Sequence, residues 1–337
     1  MATTTPASGG ELPLGQPKPQ ARDPTFRNYS STSAVAYARH RSNEYPQILI
    51  DKVISTHVAN GNGQLGTLVD VGCGPGMATR QVGTLFDHAF GLDPGVSMIE
   101  TATALGGTTR IGEKIKFAIA AAEEIDVKLK ELGVEEGTVD LITAATSAHW
   151  FDLPKFYAAA SRMLRSGGSI AFWATGNWKA AGAQLPNADK VQQILDVFTQ
   201  EVLDPYGLPG NRMCSELYTT IDLPWTSNVS GFDEKTFYHK MWNRDGEYDP
   251  ELPNGFLWMR SATWEQLGHM LGTISMVTRW REAHQEALQK GEVEDCVEKV
   301  KRELMEAVNG GKKEGDEGWV GVLKGGMGTT LLLWKKL

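Results

Sequence analysis

Leu68-Val69-Asp70-Val71-Gly72-Cys73-Gly74-Pro75-Gly76 is the stretch that decides how this chain is read. Its apolar start fits a buried parallel strand, and its alternate glycines mark a backbone that turns tightly and comes close to a ligand. The spacing G-x-G-x-G differs from the G-x-G-x-x-G of a dinucleotide fold and lacks the Lys-Ser/Thr ending of a phosphate-cradling P-loop. Hydride and phosphoryl transfer are therefore disfavoured.

Downstream, Met77 to Phe86 is expected to form a helix and Ala89 to Asp93 a second strand ending in a carboxylate. An acidic side chain about 20 residues past the glycines can accept hydrogen bonds from two ribose hydroxyls. Asp93 also suits the cap of a helix beginning near Pro94, so both roles stay open. Ile115 to Ile119 reads as a third strand and Val139 to Ala145 as a fourth, leading into Thr146-Ser147-Ala148-His149-Trp150-Phe151-Asp152. Ligands in open α/β sheets sit beyond the carboxyl ends of strands, near the point where strand order reverses. His149 in that loop is the candidate catalytic residue: it can take a proton from a hydroxyl acceptor or hydrogen-bond a carboxylate, or it can simply shape the pocket.

The string Asp70-x-Gly72-Cys73-Gly74-Pro75-Gly76 resembles motif I of the class I S-adenosylmethionine-dependent methyltransferases. Ala148-His149-Trp150-Phe151-Asp152, with the helix through Phe156 and Leu164 and then Gly167 to Trp173, resembles the trans-aconitate methyltransferase family, so that the likeness covers residues 67 to 175. Tyr37-x-x-x-Arg41-x-x-x-Tyr45-Pro46 is similar to the Tyr-Arg-Tyr-Pro segment that closes over the cofactor in that group, with one more residue between Arg and Tyr. The resemblance implies S-adenosylmethionine as cofactor. It also implies a Rossmann-like α/β fold with a seven-stranded, mostly parallel sheet, one antiparallel strand and a helical lid.

Carried onto this chain, the resemblance nominates Tyr37, Asp70, Gly72, Cys73, Gly74, Gly76, Asp93, Met98, Ala122, Glu123 and Thr146 for the cofactor. Met98 would lie against adenine or serve only the core. Glu123 would take over from the polar residue that relatives carry near Ala121, or cap a helix. For the acceptor it nominates Tyr29, Trp150, Trp178, Thr273 and Arg279. The family's Thr-Trp-Ser-type lid segment stands here as Thr273-Ile274-Ser275, without its tryptophan. Arg260 and Arg281 are further side chains able to bind an acid or to remain solvated.

The expected organisation is a disordered tail over 1–24, helices capping the cofactor over 25–60, a cofactor-binding core over 61–175, a lid with one sheet strand over 176–315, and a closing strand over 316–337. Within the lid, Phe232 to Trp242 reads as the strand, with helices over Thr263 to Trp280 and Glu292 to Val308. A chain of 337 residues with 41% hydrophobic and 22% charged residues is ordinary for a globular enzyme. Its net charge of -8 argues against a broad nucleic-acid surface and for a small-molecule acceptor. Cys73, Cys214 and Cys296 suit neither a disulfide framework nor a metal site. No apolar run has the length of a membrane span, and the start lacks a signal-peptide core, so a cytoplasmic location is expected. Lys335-Lys336-Leu337 departs from a peroxisomal tripeptide by having lysine where a small residue belongs. The expected activity is methylation of a small carboxylate. Hydroxyl methylation, or cofactor binding without transfer, is the alternative.

Overall fold

The computed structural model describes residues 44–59, 63–182 and 185–337, so Tyr29, Tyr37 and the expected tail lie outside the described residues. The central sheet is built from β1 (Thr67–Val71), β2 (His88–Asp93), β3 (Lys116–Ile119), β4 (Val139–Ala145), β5 (Leu164–Ala180), β6 (Phe232–Trp242), β7 (Trp258–Thr263) and β8 (Val322–Lys336). Its main path runs β3-β2-β1-β4-β5-β8-β6, and β7 pairs with β8 off that path. The first five strands are mutually parallel. β8 is antiparallel to each of its neighbours β5, β6 and β7, so it is the one strand that runs against the rest.

The apolar strand runs explain the layers, because consecutive residues serve opposite faces. Val69, Val71, Ile142, Ile170 and Phe172 join one buried cluster with Phe156, Tyr157 and Met163 of α5 (Leu153–Met163). Leu68, Leu141, Ala171 and Trp173 join a second cluster with Leu49 and Val53 of α1 (Gln47–Val58), and with Ala78 and Val82 of α2 (Met77–Gly83). The remaining helices flanking the parallel half are α3 (Val96–Leu105) and α4 (Ile125–Glu131).

The lid has its own core. It contains α6 (Ala188–Val197), α7 (Pro209–Ser215), α8 (Trp264–Gly272), α9 (Ser275–Ala283), α10 (Gln285–Lys290) and α11 (Cys296–Asn309). Val191, Leu195, Leu267, Val277, Val300 and Leu304 meet there with Leu323 of β8. A one-turn π-helix, Phe198–Leu203, continues α6.

Several expected elements differ. The helix expected over Thr263 to Trp280 is two helices: Thr263 caps α8 in a capping box with Gln266, and Ile274 is extended at φ -73 and ψ 127 before α9 restarts. The helix expected from Glu292 begins at Cys296, where the Asp295 carboxylate accepts from Val297 N at 2.9 Å and Glu298 N at 3.3 Å. The helix expected to Phe86 ends at Gly83. The lid holds two sheet strands rather than one, because β8 is 15 residues long and β6 covers only its final part, leaving residues 322–327 to pair with β7. Lys335 and Lys336 are tied into the fold: Lys335 Nζ donates to the carbonyls of His57 and Ala59, and Lys336 Nζ to that of Leu164.

Candidate active site

Strand order reverses between β1 and β4, and the carboxyl ends of the parallel strands open there onto a cavity of about 360 Å³. Gly72, Cys73 and Gly74 after β1, Asp93 at the end of β2, Thr146 after β4 and Thr175 within β5 all line it. Met98, Ala122, Glu123, His149, Trp150 and Trp178 line it as well. These twelve residues come from the carboxyl ends of the five parallel strands and the segments that follow them.

Local geometry explains the loop. Gly72 sits at φ +65, and a Cβ there would meet Ser147 Cβ at 2.6 Å, so both conformation and space require glycine. Gly74, at φ +54, has nothing within 4 Å of its Cβ position. A side chain there would project into open space, which is the cradle expected where a ligand comes against bare backbone. Gly74 N donates to Asp93 Oδ2 at 2.9 Å, and Gly95 N donates to Asp93 Oδ1 at 2.7 Å. Gly95 itself takes the N-cap position of α3, with no side-chain cap hydrogen bond, so Asp93 stands two residues ahead of the cap position considered for it. Cys73 is buried in the loop; burial, followed by the charges of Asp93 and Asp70, pushes its thiol well above the usual range and keeps it neutral.

Two residues nominated for the cofactor stand behind the cavity instead of on it. Asp70 is fully buried and accepts from Thr79 Oγ1 at 2.6 Å and Thr143 Oγ1 at 2.7 Å, joining β1 to α2 and β4. Burial pushes its carboxyl up to about 6, against the two hydroxyl donors that pull it down. Gly76 is the left-handed N-cap residue of α2 at φ 82, with the Phe117 ring where a Cβ would be.

Two nominated acceptor contacts are also elsewhere. Thr273 caps the end of α8 and donates to the Met270 carbonyl at 2.7 Å. Arg279 ties α9 to the segment before it, donating to the Tyr206 carbonyl at 2.7 Å and to Asn211 Oδ1 at 2.7 Å. Arg281 forms a two-point pair with Asp295 at 2.6 and 2.9 Å.

His149 is buried beside the cavity. Its Nδ1 is 2.9 Å from the Tyr218 hydroxyl, and its ring lies 4.7 Å from that of Trp150. Thr146 has a left-handed backbone, φ 54, at the end of β4, and its N–H donates to the Trp173 carbonyl at 2.7 Å. Glu123 Oε1 accepts from Asp152 N at 2.8 Å, which ties the loop after β4 to the short 3-10 turn that follows β3.

The cavity has lining residues that the sequence reading did not nominate, among them Tyr45, Asn177, Phe198, Asn211 and Trp258, and it is also lined by Arg260, one of the arginines considered able to bind an acid. Tyr45 had a signal in the Tyr-Pro pair preceding α1. Its backbone exchanges hydrogen bonds with the Gln81 side chain at 2.7 and 2.9 Å, and its ring packs edge-on against Trp173 and Trp258. Trp258 had none, since it reaches the cavity, together with Arg260, through the pairing of β7 with β8.

Comparison with known proteins agrees with this geometry. Residues 69–172 match the family model described as a methyltransferase domain. A Dictyostelium discoideum protein described as a methyltransferase is 31% identical over 154 residues, which cover 45% of this chain and 51% of that protein. A Saccharomyces cerevisiae protein described as an S-adenosylmethionine-dependent methyltransferase is 32% identical over 129 residues, covering 38% of this chain and 41% of its own length. The chain thus spans about half or less of these curated relatives. A solved structure described as a type II methyltransferase from Anaeromyxobacter dehalogenans has 20% identity and a TM-score of 0.55, covering 86% of this chain and 95% of its own. The fold is the Rossmann-like α/β fold of methyltransferases, and residues 69–172 match a methyltransferase domain.

Proposed function

We propose that the protein is an S-adenosylmethionine-dependent methyltransferase that acts on a small acid held under the lid, giving a methyl ester, in the manner of the trans-aconitate methyltransferases. One observation carries the reading: a single cavity is lined at one end by the glycine loop with Asp93, and at the other by lid residues such as Trp178, Asn211 and Met270. Such a cavity suits two ligands brought end to end.

The residues fit the cofactor, since Gly74 offers bare backbone, Asp93 shapes the loop and Met98 presents a buried apolar side chain at the cavity wall. Bound there, S-adenosylmethionine supplies a methyl group whose bond to sulfur breaks as a new bond to an acceptor oxygen forms, the electron pair remaining on sulfur. The chain then has to align the acceptor and exclude water, which is a task of positioning. A carboxylate is ionised at neutral pH, so no residue need remove a proton. Cys73 stays a thiol and does not compete as a nucleophile. A hydroxyl acceptor is the second reading, favoured by the buried His149–Tyr218 pair at the cavity wall. His149 would then be the base.

The test is mass spectrometry of the purified protein with S-adenosylmethionine and a panel of carboxylic and phenolic acids. A gain of one methyl on an acid that is retained by His149→Ala supports ester formation. A methylated phenol that is lost in that variant moves the assignment to the hydroxyl reading. A protein that binds S-adenosylhomocysteine and methylates nothing in the panel goes against both.

A further inference from the structure

Tyr218 ends a strained turn in the lid. Leu217 and Tyr218 are both buried and both left-handed, at φ 57 and φ 60, a conformation that residues with a Cβ adopt only at a cost. Two such residues in succession persist where the surroundings hold them. Here Leu217 N donates to the Cys214 carbonyl and Tyr218 N to the Met213 carbonyl, each at 3.0 Å, so the turn closes the end of α7. The start of α7 lies against the loop after β4: a Cβ on Gly210 would meet the His149 carbonyl oxygen at 2.7 Å and the Trp150 ring at 2.6 Å. The lid is thus packed onto the segment that carries His149, and the turn swings the Tyr218 ring in beside it.

The polarity of the contact follows from counting. The Tyr218 hydroxyl is 2.9 Å from His149 Nδ1, and the backbone N–H groups of His149 and Ala148 also bond to its oxygen. Burial pushes this phenol well above its usual range, so it keeps its proton. A hydroxyl has one proton to give and two lone pairs to fill. The two backbone N–H groups fill the lone pairs, and the proton therefore goes to Nδ1. A neutral imidazole that accepts at Nδ1 carries its own proton on Nε2. His149 lines the cavity, and with Nδ1 committed to Tyr218 the ring nitrogen it can offer a ligand is Nε2.

We infer that Tyr218 is a positioning residue that fixes His149 with its proton on Nε2, so that His149 gives a hydrogen bond to an oxygen of the acceptor instead of taking a proton from it. The inference rests on the acid-methylating reading above and deepens it. A ring nitrogen that already holds a proton cannot take one from a hydroxyl, so the polarity of the pair counts against the hydroxyl reading that its presence favours. A carboxylate has two oxygens: while one attacks the methyl group, the other can accept from Nε2–H, and no proton changes hands. That bond orients the reacting oxygen. The carboxylate loses its charge as the methyl group transfers, and a neutral N–H donor holds the ionised ground state less tightly than a fixed cation would. Because Tyr218 belongs to the lid, the setting of His149 depends on the lid being packed against the loop after β4.

The experiment uses the full chain, labelled with nitrogen-15 in its histidines and saturated with S-adenosylhomocysteine at neutral pH. Long-range proton–nitrogen NMR distinguishes a protonated ring nitrogen from an unprotonated one, and His149 is identified by the signal lost in His149→Gln. The expected wild-type pattern is a protonated Nε2 with an unprotonated Nδ1, and Tyr218→Phe should show both tautomers. A wild-type His149 protonated on Nδ1, or on both nitrogens, overturns the inference whether or not Tyr218→Phe folds. A Tyr218→Phe pattern identical to the wild type overturns it as well. Kinetics on an acid that the protein methylates read the donor role. KM for the acid should rise about 2- to 10-fold in Tyr218→Phe, the span of one ordinary hydrogen bond, with kcat within about threefold. His149→Gln keeps an N–H donor and cannot act as a base, so its KM should lie between those of the wild type and His149→Ala. A large loss of kcat shared by His149→Gln and His149→Ala overturns the donor role. If no acid is methylated, the acid reading and the donor role fall together, and the NMR pattern still decides whether Tyr218 sets the tautomer.

Discussion

The Asp93 carboxylate accepts a hydrogen bond from the Gly74 backbone N–H at 2.9 Å, so the residue that ends the second strand helps to build the glycine loop that follows the first. Its other oxygen takes the Gly95 N–H at 2.7 Å, and both ends of the carboxylate therefore set backbone next to the cavity. Asp93→Ala should weaken S-adenosylhomocysteine binding by at least about tenfold, given roughly 1.5–3 kcal/mol for a hydrogen bond to a charged group. Titration calorimetry measures this directly. An unchanged affinity would remove Asp93 from the site.

Asp70 gives a pH signature. Its carboxyl is raised from 3.8 to about 6, so the folded state holds its proton more tightly than the unfolded state. The stability from this proton is fully present below pH 3.8 and is lost as pH rises through about 6, amounting to about 3 kcal/mol at 1.36 kcal/mol for each unit. Asp70→Asn keeps an acceptor for a threonine hydroxyl but carries no charge. The Tm of the variant relative to wild type should therefore be highest at pH 8 and fall toward pH 4. A gap that stays flat across this range would show that Asp70 titrates normally.

Thr146 is β-branched and left-handed, at φ 54. Glycine adopts that conformation freely, whereas alanine does not relieve it. Thr146→Gly should be more stable than Thr146→Ala by about 1 kcal/mol in urea unfolding. The reverse order would mean that this backbone region is not strained.

The His149–Tyr218 pair separates chemistry from structure. Tyr218→Phe removes the 2.9 Å partner of a buried imidazole and should cost about 1–3 kcal/mol of stability. If the acceptor is a carboxylate, kcat of this variant should stay within about threefold of wild type, because no proton moves. A drop in kcat that steepens at low pH would instead mark His149 as a base.

Sequence by itself determined the cofactor half of the molecule. The alternate glycines, the carboxylate at Asp93 and the apolar strand runs are local signals, because backbone conformation at Gly72 and Gly74 and burial on both faces of β1 are decided within a few residues. The strand from Phe232 to Trp242 was legible for the same reason, whereas the mostly parallel order and the one reversed strand were expected from the family resemblance. Tertiary structure alone decided the lid half of the cavity. Arg260 and Trp258 meet the cavity only because β7 pairs with a strand more than 50 residues away, and Arg279, nominated for the acceptor, is drawn instead to Tyr206 and Asn211. Asp70 belongs to the loop motif in sequence, yet the strand alternation turns its side chain beneath the loop toward Thr79 and Thr143. Residue type announces that a charge is present. Which partner it meets depends on long-range pairing that local pattern does not encode.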